Sequence, residues 1–575
     1  MSALRSWVLL AGLILAAAAL RFLGLDFLLP QIVEPDPHIP VQVRLIENEH
    51  PDPHSVMDWP KYPLVPAYLT VAFTDPAPLP AIDAGVEQHL AAASDGVLRV
   101  RRVIAWLSLL LVPATFLVGR RFLGSSWALV AAALAATSHL AIHFATQARP
   151  HGGAAPWPAL TVWACLLLLE RASLLRYALI ACMGAMAVGT LQSSMALGFP
   201  VLVAHILAEK GALSRRHLKL LVPLAGLGLA VWFGYPFFFD APPVEVEGKQ
   251  LVQGGHKVML NLFNGKGFGV LGWSVWSWDP ALAIGAVLAL PVAAVALLRR
   301  TLGRSGWRPL LVVLAYVLPM GLVLGAYARS YERFLLPLIP FLAIWIAWAA
   351  QQLARVSPRA AAGLCAGLLL VSTTVAVRLV QLRLAPNTVE LAAEWIADKV
   401  PAFDSEAGAP LVWTSRPTSL PFFNATGVVK KRQINSLARA LNWASYQRDV
   451  IQGAWAGESF NIELMPLEQM SMLNEMHQQP KRYLERLGDE GFVLNEVFAQ
   501  GRQHRGVVAR TRALRQQFEK LASFHPDGPG SQIPHPLVYQ EATGVPLYHR
   551  ARRVVLGQGF GPVLEMFRLG ARTKE

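Results

Sequence analysis

The chain has 575 residues, of which 54% are apolar and only 15% charged, and its mean hydropathy is +0.40. A soluble globule carries roughly 25% charged residues, so a wholly soluble fold is excluded. The formal net charge of +14 falls mainly in short loops between apolar runs, which points to anionic lipid and away from nucleic acid.

In chain order, apolar runs near the ~20 residues needed to cross a bilayer lie close to 7–24, 103–119, 126–145, 156–170, 175–190, 192–208, 218–238, 280–298, 309–327, 335–352 and 361–380. Composition turns ordinary after about Ala385. The expected fold is an α-helical polytopic membrane protein, with about eleven transmembrane helices over 1–385 and a soluble α/β domain over 386–575. The first run is expected to stay in the protein, because Arg21-Phe22-Leu23-Gly24 does not resemble a small-residue cleavage site. Gln192-Ser193-Ser194 marks a polar break between the fifth and sixth runs.

Basic residues fall in alternate short loops: Arg120/Arg121, Arg171/Arg176, Lys210/Arg215/Arg216/Lys219, Arg299/Arg300/Arg304/Arg308 and Arg355/Arg359. The positive-inside rule places these loops in the cytoplasm. The N-terminus is then inside, while the 25–100 loop and residues 386–575 lie on the outer face of a bacterial inner membrane. Cys165, Cys182 and Cys365 all fall within expected spans, so no outer disulfide framework or cysteine metal site is expected.

The outer segments carry the chemistry. Asp36 lies in Glu34-Pro35-Asp36-Pro37-His38, just beyond the first span, where a reaction at the membrane surface needs a base. The same loop holds His54, Trp59, Lys61 and Tyr62, with aromatics suited to the headgroup zone. His50-x-Asp52-x-His54 looks like a ligand set, but alternating prolines splay its side chains, so a divalent metal is possible without being indicated and no cofactor is expected. A second outer turn carries Gln147, Arg149 and His151. A third, near 240–278, carries His256 and three tryptophans, Trp273, Trp276 and Trp278, expected as an interface belt. A fourth carries Tyr331 and Arg333. Arg99, Arg101 and Arg102 stand at the outer end of the second span. Cations at outer helix ends run against the positive-inside bias and fit an anionic ligand, headgroup binding or a snorkelling anchor. In the outer domain, Asn387 with Glu390 reads as a capping box, 410–414 as a strand, and 467–500 and 505–523 as helices.

Four stretches, taken in order, resemble the GT-C class of polyprenyl-phosphate-sugar glycosyltransferases, whose members include the protein O-mannosyltransferases and the lipid A aminoarabinose transferase. Arg21-Phe22-Leu23-Gly24-Leu25 with Pro35-Asp36 is similar to the family's first-loop motif. Pro53-His54 through Trp59-Pro60-Lys61-Tyr62-Pro63 is similar to the segment that follows it. Arg333-Phe334-Leu335-Leu336-Pro337-Leu338-Ile339-Pro340 resembles the late Arg-Tyr-x-x-Pro-x-x-Pro. Glu394-Trp395-Ile396, with Gly561-Pro562 and Phe567-Arg568-Leu569, resembles the outer-domain ends. Two positions depart from the pattern: Pro37 follows Asp36 where relatives usually have Glu, and Gln147, Ala148 and His151 stand where relatives often carry an acid.

The resemblance implies transfer of a sugar from a polyprenyl-phosphate donor to a glycan, lipid or protein acceptor, by inverting displacement. A phosphate leaving group needs cations and no general acid, and the acceptor needs one base. Asp36 is then the base, and Arg333, Arg101, Arg149 and Lys61 the phosphate partners. His38, His54, Trp59, Tyr62, His151, His256 and Tyr331 are possible substrate contacts. A non-catalytic lipid-binding or scaffold relative, and a secondary transporter, remain open alternatives. Transfer from a labelled lipid donor separates the enzyme from both.

The loop charges predict labelling by an impermeant thiol reagent on intact cells or spheroplasts. Single cysteines at Ser55 and Ser405 should react, and one at Ser305 should not. The reverse pattern would sink the orientation.

Overall fold

The computed structural model describes the chain apart from residues 1–2, 31–37, 50–61, 77, 79, 82–83, 209–216, 236–244, 248–249, 254–255, 299–306, 405–408, 415–421, 435–443, 456, 466–474, 476–477, 498–502, 527–549 and 571–575.

Leucines and alanines, which favour helix, carry α1 (Ala3–Phe22) across the membrane. It ends at Gly24, whose φ of +63° suits glycine and whose Cβ would sit 3.0 Å from Arg383 Cβ. The loop that follows contains two helices, α2 (His38–Glu47) and α3 (Val65–Phe73). Pro40 and Pro66 fall in their first turns, where the missing N–H costs nothing. Next come α4 (Val86–Leu109), α5 (Leu111–Gly119), α6 (Ser125–Ala136), α7 (His139–Ala145), α8 (Pro150–Ala154) and α9 (Pro156–Glu170). The third expected span is broken, with α6 and α7 bent by 55°.

Helix α10 (Leu174–Thr190) and α11 (Gly198–Ala208) flank a 3₁₀ turn over Gln192–Leu197, so the polar break is a tightened turn. After α12 (Leu221–Gly234) come three short antiparallel strands, β1 (Glu245–Glu247), β2 (Gln250–Gln253) and β3 (His256–Met259). Then α13 (Lys266–Trp278) meets α14 (Pro280–Leu298) at 119°. The set closes with α15 (Trp307–Ala326), a 3₁₀ segment over Glu332–Leu338, α16 (Ile339–Ala354) and α17 (Pro358–Leu384).

Among the described residues, seven helices are long and apolar enough to cross a membrane, or nine if each bent pair is one span. The two other expected spans, 175–190 and 192–208, fall on shorter apolar helices. Leu224, Leu229, Trp232 and Phe233 of α12 are exposed, as suits side chains solvated by lipid. Inside, Ala131 and Ala135 of α6, Ala159 and Ala164 of α9, and Ala343 and Ala347 of α16 pack in one cluster. Small residues let these backbones approach closely where no water drives association. The protein is an integral membrane protein.

The remainder begins with α18 (Thr388–Lys399), whose capping box of Asn387 and Glu390 is formed as expected. A five-stranded sheet follows in the order β5-β4-β6-β8-β7, built from β4 (Val412–Thr414), β5 (Ile462–Leu464), β6 (Phe492–Glu496), β7 (Glu519–Phe524) and β8 (Leu564–Arg568). Strand β4 runs parallel to β5 and β6, while β8 runs antiparallel to β6 and β7. The described helices around it are α19 (Ala425–Ile434), α20 (Ala444–Ile451), α21 (Pro480–Glu485) and α22 (Gln503–Gln517), while α23 (Arg550–Leu556) packs on α17. Two expectations are corrected: 492–496 is an interior strand within the expected 467–500 helix, and the 505–523 helix stops at Gln517 before β7. Val389, Ala392 and Ile396 of α18 cover one sheet face, joined there by Val41 of α2. Leu484 and Leu514 cover the other with Phe567.

Gly561 has φ +109°, and a Cβ there would lie 2.0 Å from Thr388 Oγ1, the hydroxyl that donates to the Pro562 carbonyl at 2.6 Å. Gly561→Ala should therefore destabilise the fold by about 1–3 kcal/mol. Gly124→Ala, also at positive φ but with open space around it, should cost less. Equal melting shifts for the two in detergent would refute the packing argument.

Candidate active site

The site is organised by the turn between α7 and α8. Helix α7 is capped twice at its N-terminus. Ser138 Oγ accepts from the Ala141 N–H at 3.2 Å. Asp279, at the sharp bend between α13 and α14, brings its carboxylate to the same end. It accepts from the His139 N–H at 2.6 Å, the Leu140 N–H at 3.2 Å and Ser138 Oγ at 2.9 Å. A carboxylate at a helix N-terminus answers both the orphan N–H groups and the dipole. The third span thus breaks at residues 137–138 because a residue far along the chain terminates it.

From α7 the chain turns through Gln147-Ala148-Arg149 into α8. Gly152 makes the return possible, since a Cβ there would lie 2.3 Å from the Phe144 carbonyl oxygen. Gln147, Arg149 and His151 are all buried. Arg149 Nη2 donates to the Tyr62 hydroxyl at 3.5 Å. The Tyr62 ring lies 5.6 Å from His38 and 5.8 Å from His151, and its carbonyl accepts from Gln42 Nε2 of α2 at 2.9 Å. On the far side, His151 lies 6.2 Å from Phe334. Arg333 Cζ sits 4.2 Å from the Tyr331 ring centre and 5.1 Å from that of Phe334. The charges of Arg333 and Arg149 both act on the His151 ring.

His38, Tyr62, Arg149, His151, Tyr331 and Arg333 are therefore one cluster, assembled from three segments far apart in the sequence. Within it, the amide of fully buried Gln147 has no hydrogen-bond partner at either polar atom among the described residues, and neither has His151 Nδ1. Buried polar groups in native proteins are nearly always partnered, so these atoms mark a place for a ligand or ordered water.

Other expected residues fall elsewhere. Arg101, fully buried on α4, is not in this cluster: its Nη1 donates to the Leu25 and Phe27 carbonyls at 2.7 and 2.8 Å. It secures the start of the loop that follows α1. Arg99 likewise pairs with Glu47 at 2.6 Å and donates to Thr74. His256 lies on β3, where only the backbone is described. Asp36, His54, Trp59 and Lys61 lie outside the described residues.

Several residues of the site's surroundings were not expected. Trp278 is buried, unlike its exposed neighbours Trp273 and Trp276, and meets His139 and His143 at ring distances of 4.9 and 4.6 Å. The fold, not the sequence, separates it from the interface belt. Asp279 did carry a signal, as a single carboxylate between two apolar helices. Arg383 and Arg550 carried none. A cavity of about 550 Å³, lined by Asp26, Phe27, Ser94, Arg383, Glu390 and Phe560 among others, lies where α17 gives way to α18.

No protein-family model matches the chain, and no curated protein does. Among solved structures it is similar to ArnT from Cupriavidus metallidurans in the apo state, at 17% identity over 79% of this chain and 76% of that one, with a TM-score of 0.43. ArnT bound to undecaprenyl phosphate gives 17%, the same coverage and 0.42. The archaeal oligosaccharyltransferase AglB from Archaeoglobus fulgidus, in complex with an inhibitory peptide and a dolichol-phosphate, gives 13% over 92% and 75% with a TM-score of 0.42.

Removing the Asp279 carboxylate leaves two buried N–H groups without their acceptor. Asp279→Ala should cost about 1–3 kcal/mol, read as a lower melting temperature of the purified protein, and Asp279→Asn should cost less. An unchanged melting temperature in the Ala variant would show that the carboxylate does not hold α7.

Proposed function

We propose that this protein is a membrane glycosyltransferase that moves a sugar from a polyprenyl-phosphate donor to an acceptor on the outer face. The observation that carries the reading is that Arg149, through Tyr62, and Arg333, through Phe334, both adjoin His151, beside a buried Gln147 amide with no partner among the described residues. Cations brought together with open hydrogen-bonding groups form a receptor for an oxyanion. Guanidinium suits phosphate through its paired donors. The order of motifs along the chain, from Arg21-Phe22-Leu23-Gly24 to Arg333-Phe334, supports the same class of donor.

In this reading Arg333 and Arg149 hold the donor phosphate, with Tyr62 steadying Arg149. As the acceptor oxygen or nitrogen bonds to the anomeric carbon, the bond from that carbon to the phosphate oxygen breaks. The electron pair leaves with the phosphate, whose growing charge the two guanidiniums offset. The acceptor's proton goes to Asp36, which stands two residues ahead of His38 in the sequence. Attack from the face opposite the phosphate inverts the anomeric centre. The inside position of the N-terminus, the outer position of residues 386–575 and their division from 1–385 belong to this proposal. So does the nature of the acceptor, whether glycan, lipid or protein.

Two substitutions separate the roles. Arg333→Ala should weaken binding of a polyprenyl-phosphate probe by about 2–3 kcal/mol, with partial recovery in Arg333→Lys. Asp36→Asn should leave that binding and the melting temperature near wild type while turnover falls by roughly 10²-fold or more. Full activity in Asp36→Asn would move the base elsewhere, with His38 and His151 next. Lipid binding without transfer from any polyprenyl-phosphate sugar would identify a scaffold relative.

A further inference from the structure

The cavity of about 550 Å³ where α17 gives way to α18 lies between walls that the fold holds in place. The first wall is the turn after α1. Arg101 fixes it through the Leu25 and Phe27 carbonyls. A Cβ at Gly24 would lie 3.0 Å from Arg383 Cβ, so this turn sits directly on the end of α17. The second wall is the start of α18, where Glu390 accepts from the Asn387 N–H at 3.3 Å in the capping box. The Thr388 N–H donates to the Phe560 carbonyl at 2.9 Å, which brings Phe560 to the same place. Its ring lies 5.3 Å from that of Phe27. Ser94 of α4 lines a further side.

The lining combines the carboxylates of Asp26 and Glu390, the guanidinium of Arg383, the hydroxyl of Ser94 and the rings of Phe27 and Phe560. Asp26 is exposed and Glu390 half-buried. A carboxylate offers about four acceptor positions, so the capping box leaves Glu390 able to accept more. Ser94 Oγ donates to the Leu90 carbonyl at 2.9 Å and keeps its lone pairs. An anionic ligand would meet two carboxylates, and a cationic one the guanidinium. A hydrocarbon chain would strip water from all three charges, which is costly. A hydroxyl suits the mixture, because it donates and accepts at once. A sugar ring carries hydroxyls at its edge and presents C–H faces to phenyl rings. The volume falls within the roughly 300–1,000 Å³ of ligand clefts.

The cavity's place along the chain bears on the reaction. Pro30 also lines it, while His38 meets Tyr62 at 5.6 Å in the His151 cluster. Residues 31–37, Asp36 among them, join the two along the chain. We propose that this cavity is the acceptor subsite and that the acceptor presents a neutral, hydroxylated sugar ring there. This rests on the glycosyltransferase reading above and deepens it by naming the acceptor class. The attacking atom is then a sugar hydroxyl oxygen. Its proton goes to Asp36 as the new glycosidic bond forms and the bond to the phosphate oxygen breaks.

The test applies the purified full-length protein in nanodiscs to immobilised neutral, acidic and amine-bearing oligosaccharides and to a serine- and threonine-rich peptide. The wild type should bind the neutral oligosaccharides in preference to the rest. Asp26→Asn should weaken that binding about tenfold, as a charged acceptor is lost. Ser94→Trp, which fills the cavity, should abolish it. Both variants should bind polyprenyl monophosphate as the wild type does. Asp26 is exposed, so Asp26→Asn decides the matter if Ser94→Trp fails to fold. Preference for the acidic or amine-bearing oligosaccharides or for the peptide overturns the proposal. So does binding of no oligosaccharide, or neutral binding that is unchanged in Asp26→Asn. The donor reading fails separately, if the wild type binds no polyprenyl monophosphate.

Discussion

Burial of guanidinium groups among membrane helices is the constraint on which the rest of this structure depends. An arginine taken out of water keeps its charge, so each must find carbonyls, rings or anions to answer it. Arg21, fully buried, donates from Nη1 to the Ala17 and Ala136 carbonyls and from Nε to Ser108. It thereby ties the end of α1 to α4 and to the end of α6. Arg101 holds the Leu25 and Phe27 carbonyls, and Arg383 the Leu20 carbonyl. The start of the first outer loop is thus pinned from two helices. The Ala136 and Leu20 carbonyls lie in last helical turns, which leave them without intrahelical partners, so charge and backbone there solve one another's problem.

The same logic sorts the arginines by function. Those whose recorded donors meet backbone carbonyls, such as Arg101, shape the frame. Those set against rings, such as Arg333, border the site. Aromatic faces attract a guanidinium and leave its edge donors, which lie in the plane of the group, directed elsewhere. Arg333 between Tyr331 and Phe334 is positioned in this way. The frame arginines and the site arginines share helix ends at one side of the bundle, which explains why charge counting alone cannot tell them apart.

Much of the frame was legible in the sequence, because hydropathy runs and loop charges are local signals. The capping box at Asn387 and Glu390 was legible for the same reason. What was not legible depended on distant partners. Thr137 and Ser138 interrupt an apolar run without an obvious breaker, and the break is set by Asp279. Trp278 looked like Trp273 and Trp276 until the fold buried it. Phe492–Glu496 is a short apolar run between helical patterns, and its place between β4 and β8 is decided by neighbours from Val412 to Arg568. Within the site, Tyr62, Arg149, His151 and Arg333 were found by their place on outer segments. That Arg101 meets the Leu25 and Phe27 carbonyls was not legible, because those partners are set by the fold.

The sheet region is packed against the helices that precede it. Val41 of α2 lies in the same core as α18 and the sheet, so the first outer loop is packed between the two regions. His89 of α4 meets Asp449 of α20 at 3.7 Å with both side chains fully buried. Phe27 meets Phe560 at 5.3 Å, and α23 reaches Ser277 through Arg550. Each contact ties the sheet region to a segment that also borders the site. A shift of the sheet region would therefore move Phe27 and α2, and with α2 the His38 and Gln42 contacts to Tyr62. Rigid coupling of this kind suits a chamber that must hold charged groups in fixed geometry, since electrostatic stabilisation works best when its dipoles and charges need no reorganisation.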